Sequence, residues 1–283
     1  MIDAYDEYTH LTLDRRGFME KLTKLAGSGA AAVAIAPLLA ANSAQAAIVA
    51  EDDARVRGED ITYPGSKGEM KGYLVRPAAE SGKLGAVIVI HENRGLNPHI
   101  RDVARRIALE GFVALASDFL SPLGGTPADE DKAREMFTQL APEQTIADGL
   151  ATIAYLKRID GGNRKVGAVG FCWGGGVVND LAVNAPDLDA AVAYYGRQPK
   201  SEDVAKIKAP LLLHYAGKDE RIDAGIDAYK AALEAGGKSF TIYVYEGAQH
   251  AFNNDTSAAR YDKAAADLAW GRTTAFLKEK LDG

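Results

Sequence analysis

Beyond Ala46 the chain alternates short apolar runs with longer stretches in which apolar side chains recur every three or four residues. The runs Gly85 to His91, Phe112 to Ala116 and Lys165 to Phe171 are rich in Val, Ile and Ala, the pattern of strands buried on both faces. Ala190 to Tyr195, Pro210 to Tyr215 and Phe240 to Tyr245 read as three more strands. Asn97 to Glu110 places Ile100, Val103, Ala104, Ile107 and Ala108 on one helical face. Asp129 to Leu140, Thr145 to Arg158, Gly174 to Asn184, Ile222 to Ala235 and Ala258 to Leu281 also read as helices. Ile61 to Tyr63 and Met70 to Arg76 form an opening hairpin around Pro64-Gly65-Ser66. Repeated strand–helix–strand units predict an α/β fold, with a mainly parallel central sheet and helices on both faces. No repeat, low-complexity tract or linker breaks the pattern, so residues 47–283 read as a single domain.

The first 46 residues follow a different pattern. Arg15-Arg16 precede Gly17-Phe18-Met19, and no charge occurs between Lys24 and Glu51. Within that gap Leu25 to Ala41 is rich in Ala and Leu but is interrupted by Gly27, Gly29 and Pro37, which argues against a stable membrane anchor. Ala44-Gln45-Ala46 supplies a small-x-small cleavage pattern. Residues 1–46 therefore resemble a twin-arginine signal peptide of bacteria, which implies a periplasmic or secreted protein and leaves this segment out of the fold reading.

Composition narrows the function classes. The 283 residues are 47% hydrophobic and 25% charged, with a formal net charge of −6 and no basic block in the body. Nothing there favours nucleic acid as a partner. A single cysteine, Cys172, cannot form an internal disulfide.

That cysteine lies in Gly170-Phe171-Cys172-Trp173-Gly174, directly after a predicted buried strand and before a predicted helix. The spacing is that of a nucleophile elbow, where a side chain two residues either side of the nucleophile would clash. The helix N-terminus that follows favours a thiolate and a developing oxyanion. Acid and histidine follow in the expected chain order. Asp219 comes just past the strand Pro210 to Tyr215, with Glu220 and Asp223 as competitors, and His250 comes just past the strand Phe240 to Tyr245. His91 and His214 fall within predicted strands and read as core imidazoles, and His99 opens a helix. In a triad of this kind His250 takes the thiol proton while Asp219 holds its tautomer. The backbone N–H of Trp173 is one oxyanion donor, and the loop after the strand Gly85 to His91 supplies the second, at Asn93.

These segments, together with Ala193-Tyr194-Tyr195-Gly196, Gly217-Lys218-Asp219 and His91-Glu92-Asn93-Arg94-Gly95-Leu96-Asn97, resemble the dienelactone hydrolase family of α/β-hydrolases over most of residues 61–281. The resemblance implies a carboxymethylenebutenolidase-like hydrolase of small-molecule esters or lactones without a cofactor. It also implies that Glu92 pairs with the resting thiol and gates it. One feature departs from the family. Its arginine a few residues past the histidine is missing from Ala251-Phe252-Asn253-Asn254, and its other arginine would fall near Lys132 and Arg134. Neutral substrates are therefore expected over carboxylated ones. Thioester or peptide-bond hydrolysis on the same scaffold is the enzymatic alternative, and a non-catalytic, thiol-based binding or redox protein is the alternative of another class. Neither zinc-ligand spacing around Cys172 nor a glycine-rich phosphate loop after the first buried strand is found.

Overall fold

A computed structural model describes residues 1–9, 13–39, 47–79 and 82–282. Its elements in chain order are α1 (Ile2–Thr9), α2 (Arg15–Ala26), α3 (Gly29–Leu39), β1 (Val56–Pro64), β2 (Glu69–Pro77), β3 (Leu84–Ile90), α4 (Pro98–Leu109), β4 (Val113–Asp118), α5 (Glu130–Met136), α6 (Pro142–Leu156), β5 (Gly162–Phe171), α7 (Trp173–Asn184), β6 (Ala190–Tyr194), β7 (Leu211–Lys218), α8 (Glu220–Asp223), α9 (Ile226–Ala235), β8 (Phe240–Gln249) and α10 (Lys263–Leu281).

Eight strands form one sheet in the order β1-β2-β4-β3-β5-β6-β7-β8. The hairpin β1–β2 and the pairing of β2 with β4 are antiparallel, and every later pairing is parallel. Burial explains the uninterrupted apolar runs. Every residue of β4 and β6, and all of β3 after Leu84, is buried. On one face Val103 and Ile107 of α4 and Ala269 and Leu277 of α10 pack on the sheet. On the other lie Ile153 and Leu156 of α6, Val178 and Leu181 of α7 and Leu233 of α9. Each fully buried aliphatic side chain contributes about 1.5–3 kcal/mol relative to exposure.

The expected helices are present with shifted limits, each for a local reason. Asn97 caps α4, its side chain accepting from the Ile100 N–H at 3.2 Å. Pro142 starts α6 three residues before the expected Thr145, as a first-turn proline does not need its missing N–H. The helix expected over residues 129–140 is only α5 followed by a 3-10 turn, Phe137–Gln139. The one expected over 222–235 is interrupted at Ala224 and Gly225, which separate α8 from α9. The last helix begins at Lys263 rather than Ala258, because Asp262 caps it and accepts from the Ala265 N–H.

The N-terminal residues, set aside on sequence grounds as an address, form α1, α2 and α3. Tyr5, Tyr8, Phe18, Leu22, Ala32 and Leu39 build a small cluster of their own. Asp14 caps α2, and Gly27 ends it in the left-handed region. Among the described residues no single helix is long and apolar enough to cross a membrane. The pair α2–α3 meets the length and composition together but bends by 112°. The cleavage pattern Ala44-Gln45-Ala46 lies outside the described residues.

Candidate active site

Strand β5 runs into α7 through Cys172, whose backbone is forced to φ 54°, ψ −113°. A side chain on Gly170 would stand 2.2 Å from the Gly174 carbonyl oxygen, and one on Gly174 would stand 2.4 Å from the Ile90 oxygen. Both glycines are therefore required by close backbone approach, which accounts for the Gly-x-Cys-x-Gly spacing. Strain of this kind, about 1–3 kcal/mol for a non-glycine residue, persists where packing over-determines it. Trp173 opens the helix, and its ring stacks on His91 with centroids 5.5 Å apart and packs edge-on against Phe137.

His250 directly follows β8, and Asp219 directly follows β7. The parallel pairing of these strands carries both residues to the same sheet edge as Cys172. The Nδ1 of His250 is hydrogen-bonded to the Asp219 carboxylate. The Cys172 sulfur lies near enough to the ring to favour its charged form. Burial disfavours the charged ring, but the Cys172 sulfur, the Asp219 hydrogen bond and their charges outweigh it and raise the pKa of His250 to about 10. Of the competing acids, Asp223 instead accepts from the Asp219 N–H, and burial holds its carboxyl above the usual range. Tyr195 packs its ring on His250 at 5.0 Å between centroids.

Glu92 is buried in the loop after β3. Its carboxylate accepts from Asn254 Nδ2 at 2.7 Å and from the Tyr195 hydroxyl at 3.5 Å. A neutral amide donor thus stands at position 254, beside the carboxylate expected to gate the thiol. Thr256 fixes the Asn254 amide by donating to its Oδ1 from both backbone and hydroxyl. Glu92, Cys172, His250, Asn254 and the buried Arg260 line one narrow cavity. A larger cavity of about 360 Å³, also lined by Cys172, is walled by Trp173, Phe137, Leu140 and Val177, with Arg134, Arg197 and Arg221 among its polar groups. Asn93 borders both cavities, and its side chain donates to the Thr9 carbonyl.

The remaining described histidines have structural partners. His91, one residue past β3, accepts from the Phe119 N–H through Nε2, so its Nδ1 donates to the Glu92 carbonyl. His214 lies in β7 between the hydroxyls of Tyr245 and Thr273, and burial lowers its pKa to about 3. His99 pairs with Asp255. The sequence reading missed Tyr195, Asn254 and Arg260 as site residues. Tyr195 stood in a quoted segment without a role, and nothing local marks Arg260.

The model of the dienelactone hydrolase family matches residues 70–281. The chain belongs to the dienelactone hydrolase family. Family membership makes it a carboxylic-ester hydrolase with an α/β-hydrolase-like fold. It is 33% identical over 258 residues to a "Putative carboxymethylenebutenolidase" of Saccharolobus solfataricus, covering 78% of this chain and 98% of that protein. A "Putative hydrolase fragment" of Escherichia coli is 52% identical over 113 residues, covering 39% of this chain and 97% of the fragment. Among solved structures, a "Putative Dienelactone Hydrolase" of Klebsiella pneumoniae superimposes with a TM-score of 0.73 at 30% identity, covering 79% of this chain and 99% of that one.

Proposed function

We propose that the protein hydrolyses a neutral ester or lactone through acylation of Cys172. The observation that carries this reading is the hydrogen bond of His250 to Asp219 beside Cys172, which lines the same narrow cavity at a strained elbow. The thiolate attacks the substrate carbonyl carbon, and its former proton resides on His250. The N–H groups of Trp173 and Asn93 receive the oxyanion. Collapse of the tetrahedral species breaks the carbonyl–oxygen bond, and His250 returns the proton to the leaving alkoxide. Water, deprotonated by the same imidazole, then attacks the thioester and releases the acid and the free thiol. Asp219 holds the ring in the orientation and tautomer that both half-reactions need. The decisive experiment is an ester, lactone, thioester and peptide panel run on wild type and Cys172→Ala, with mass analysis of the Cys172 peptide after a slow ester. Undiminished turnover by the alanine variant excludes the mechanism.

We also propose that residues 1–46 direct export by the twin-arginine route. Arg15 and Arg16 support this, with side chains 81% and 87% exposed and so open to a receptor on the folded chain. Protein recovered from the periplasm should begin near Ala47, and native cytoplasmic protein with Met1 intact would end the idea.

A further inference from the structure

We propose that α1 is an internal inhibitor, narrowing the mouth of the active site until the N-terminal segment that carries it is lost. The proposal concerns regulation of the site described above and rests on that reading.

Four residues beside the site are committed to holding α1. Arg94 donates from Nη2 to the Tyr5 hydroxyl at 2.7 Å. Arg260 donates from Nη1 to Asp6 Oδ1 at 2.9 Å. Asn93 donates from its side chain to the Thr9 carbonyl. Arg134 donates to the Tyr8 carbonyl, and its guanidinium lies over the Tyr8 ring, 3.8 Å from the centroid. Asn93 and Arg94 directly follow Glu92, Arg260 lines the narrow cavity beside Cys172, and Arg134 lines the larger one. Thr9 lines both cavities. A third cavity, bounded by Asp3, Asp6 and Glu7 on one side and by Asp219 and His250 on the other, marks where α1 crosses the triad. Burial raises the Asp6 carboxyl while Arg260 and His250 draw it down, which places this carboxylate in the electrostatic reach of the histidine.

Physical chemistry makes this docking strong and conditional. Arg134 and Arg260 are buried, and a buried cation is costly without a partner. Helix α1 provides Arg260 with a carboxylate, and provides Arg134 with a carbonyl oxygen and an aromatic face. Tyr5 and Tyr8 are themselves buried, backed by Phe18 of α2. Cys172 keeps partial exposure beneath docked α1, so docking narrows the route to the sulfur, and the wider route belongs to the fraction of molecules in which α1 has lifted. The exposed side chains of Arg15 and Arg16 lie on the helix that backs this cover, so a segment read as an export address also carries the lock.

The test reads access to the sulfur separately from catalysis. Alkylation of Cys172 by iodoacetamide and hydrolysis of p-nitrophenyl acetate are measured in the full chain, in Asp6→Ala and in Asp6→Ala/Tyr8→Ala. Both are measured again after the folded chain is cut at a protease site engineered between residues 42 and 46 and the peptide is removed. Both rates should rise about tenfold or more in the double variant and in the cut protein. If the double variant fails to fold, the cut protein decides. Equal alkylation in the intact and opened forms overturns the cover. Faster alkylation without ester turnover in any form keeps the cover and removes the hydrolase reading. Turnover that depends on Cys172 but is indifferent to Asp6, Tyr8 and the cut removes the cover and keeps the hydrolase.

Discussion

Asn254 donates its side-chain amide to the Glu92 carboxylate at 2.7 Å, in the cavity that Cys172 also lines. The contact ties down a charge that would otherwise be free to face the sulfur. A carboxylate near the sulfur disfavours the thiolate by like-charge repulsion. Glu92→Gln keeps the shape and removes the charge, so Cys172 should alkylate a few-fold faster near neutral pH. Asn254→Ala frees the carboxylate to turn toward the sulfur and should slow alkylation instead. Opposite shifts in the two pH profiles support gating by Glu92. Superimposable profiles for wild type and Glu92→Gln exclude it.

Which parts of this site the sequence could show has a physical pattern. The elbow was legible because two glycines flank a cysteine directly after a run too apolar to be anything but a central strand. Asp219 and His250 could be placed from sequence because each follows one of two neighbouring parallel strands, whose ends fall at the same sheet edge. Asn254 and Arg260 were not legible. Their placement depends on residues 250–262 folding back on themselves, with the Asp262 N–H donating to the Phe252 carbonyl at 3.0 Å. The pairing of Asp6 with Arg260 spans 254 residues, and no local periodicity encodes it. The neighbouring of β2 with β4 rather than β3 is likewise a matter of topology, invisible to hydrophobic spacing.

Asp219 should matter to stability as well as to turnover. The pKa of His250 is raised to about 10, against about 6.5 in an unfolded chain. A raised folded value stabilises fully below about pH 6.5, and that contribution is lost as pH climbs through about 10. Asp219→Asn removes part of the cause. Its stability deficit in thermal melts should be greatest near pH 6 and fade toward pH 10. Ester turnover should fall by about 10²–10⁴-fold, as expected when the orienting acid of a triad is neutralised. A deficit that does not vary with pH would mean that Asp219 does not charge the ring.

His214 acts in the opposite direction. Burial, aided by Arg272, lowers its pKa to about 3, so the folded protein keeps it neutral while an unfolded chain protonates it near 6.5. Its contribution is present above about pH 6.5 and is lost as pH falls toward 3, by about 1.4 kcal/mol per pH unit within that window. His91, also lowered by burial, adds to the same acid limb. Urea midpoints of the wild type should therefore drop steeply from pH 7 to pH 5. In His214→Gln the midpoint should start lower, because the fit to Tyr245 and Thr273 is disturbed, but fall less with acidification. Parallel slopes for the two proteins would place the acid sensitivity elsewhere.

Substrate charge provides the last prediction, and it links the arginines of the site to helix α1. No arginine follows His250 closely, and three arginines that line the cavities around Cys172 already hold partners: Arg260 with Asp6, Arg134 with the Tyr8 carbonyl, Arg197 with Asp180. A carboxylated substrate would have to displace one of them or forgo a charge-assisted hydrogen bond of about 1.5–3 kcal/mol. The full chain should thus favour a neutral ester over its carboxylated analogue by about tenfold or more in kcat/KM. Asp6→Ala leaves Arg260 without its carboxylate, at the wall of the cavity that holds Cys172 and His250. That variant should gain more on the carboxylated ester than on the neutral one, because only the former can replace the lost acceptor. The measurement is the ratio of kcat/KM for a phenyl acetate and a phenyl hemisuccinate in wild type and Asp6→Ala. A ratio that stays fixed while both rates rise would show that Arg260 lies beyond the substrate's reach and that the helix acts only as a door. A ratio that moves toward the hemisuccinate would show that Asp6 occupies the position of a substrate's anion.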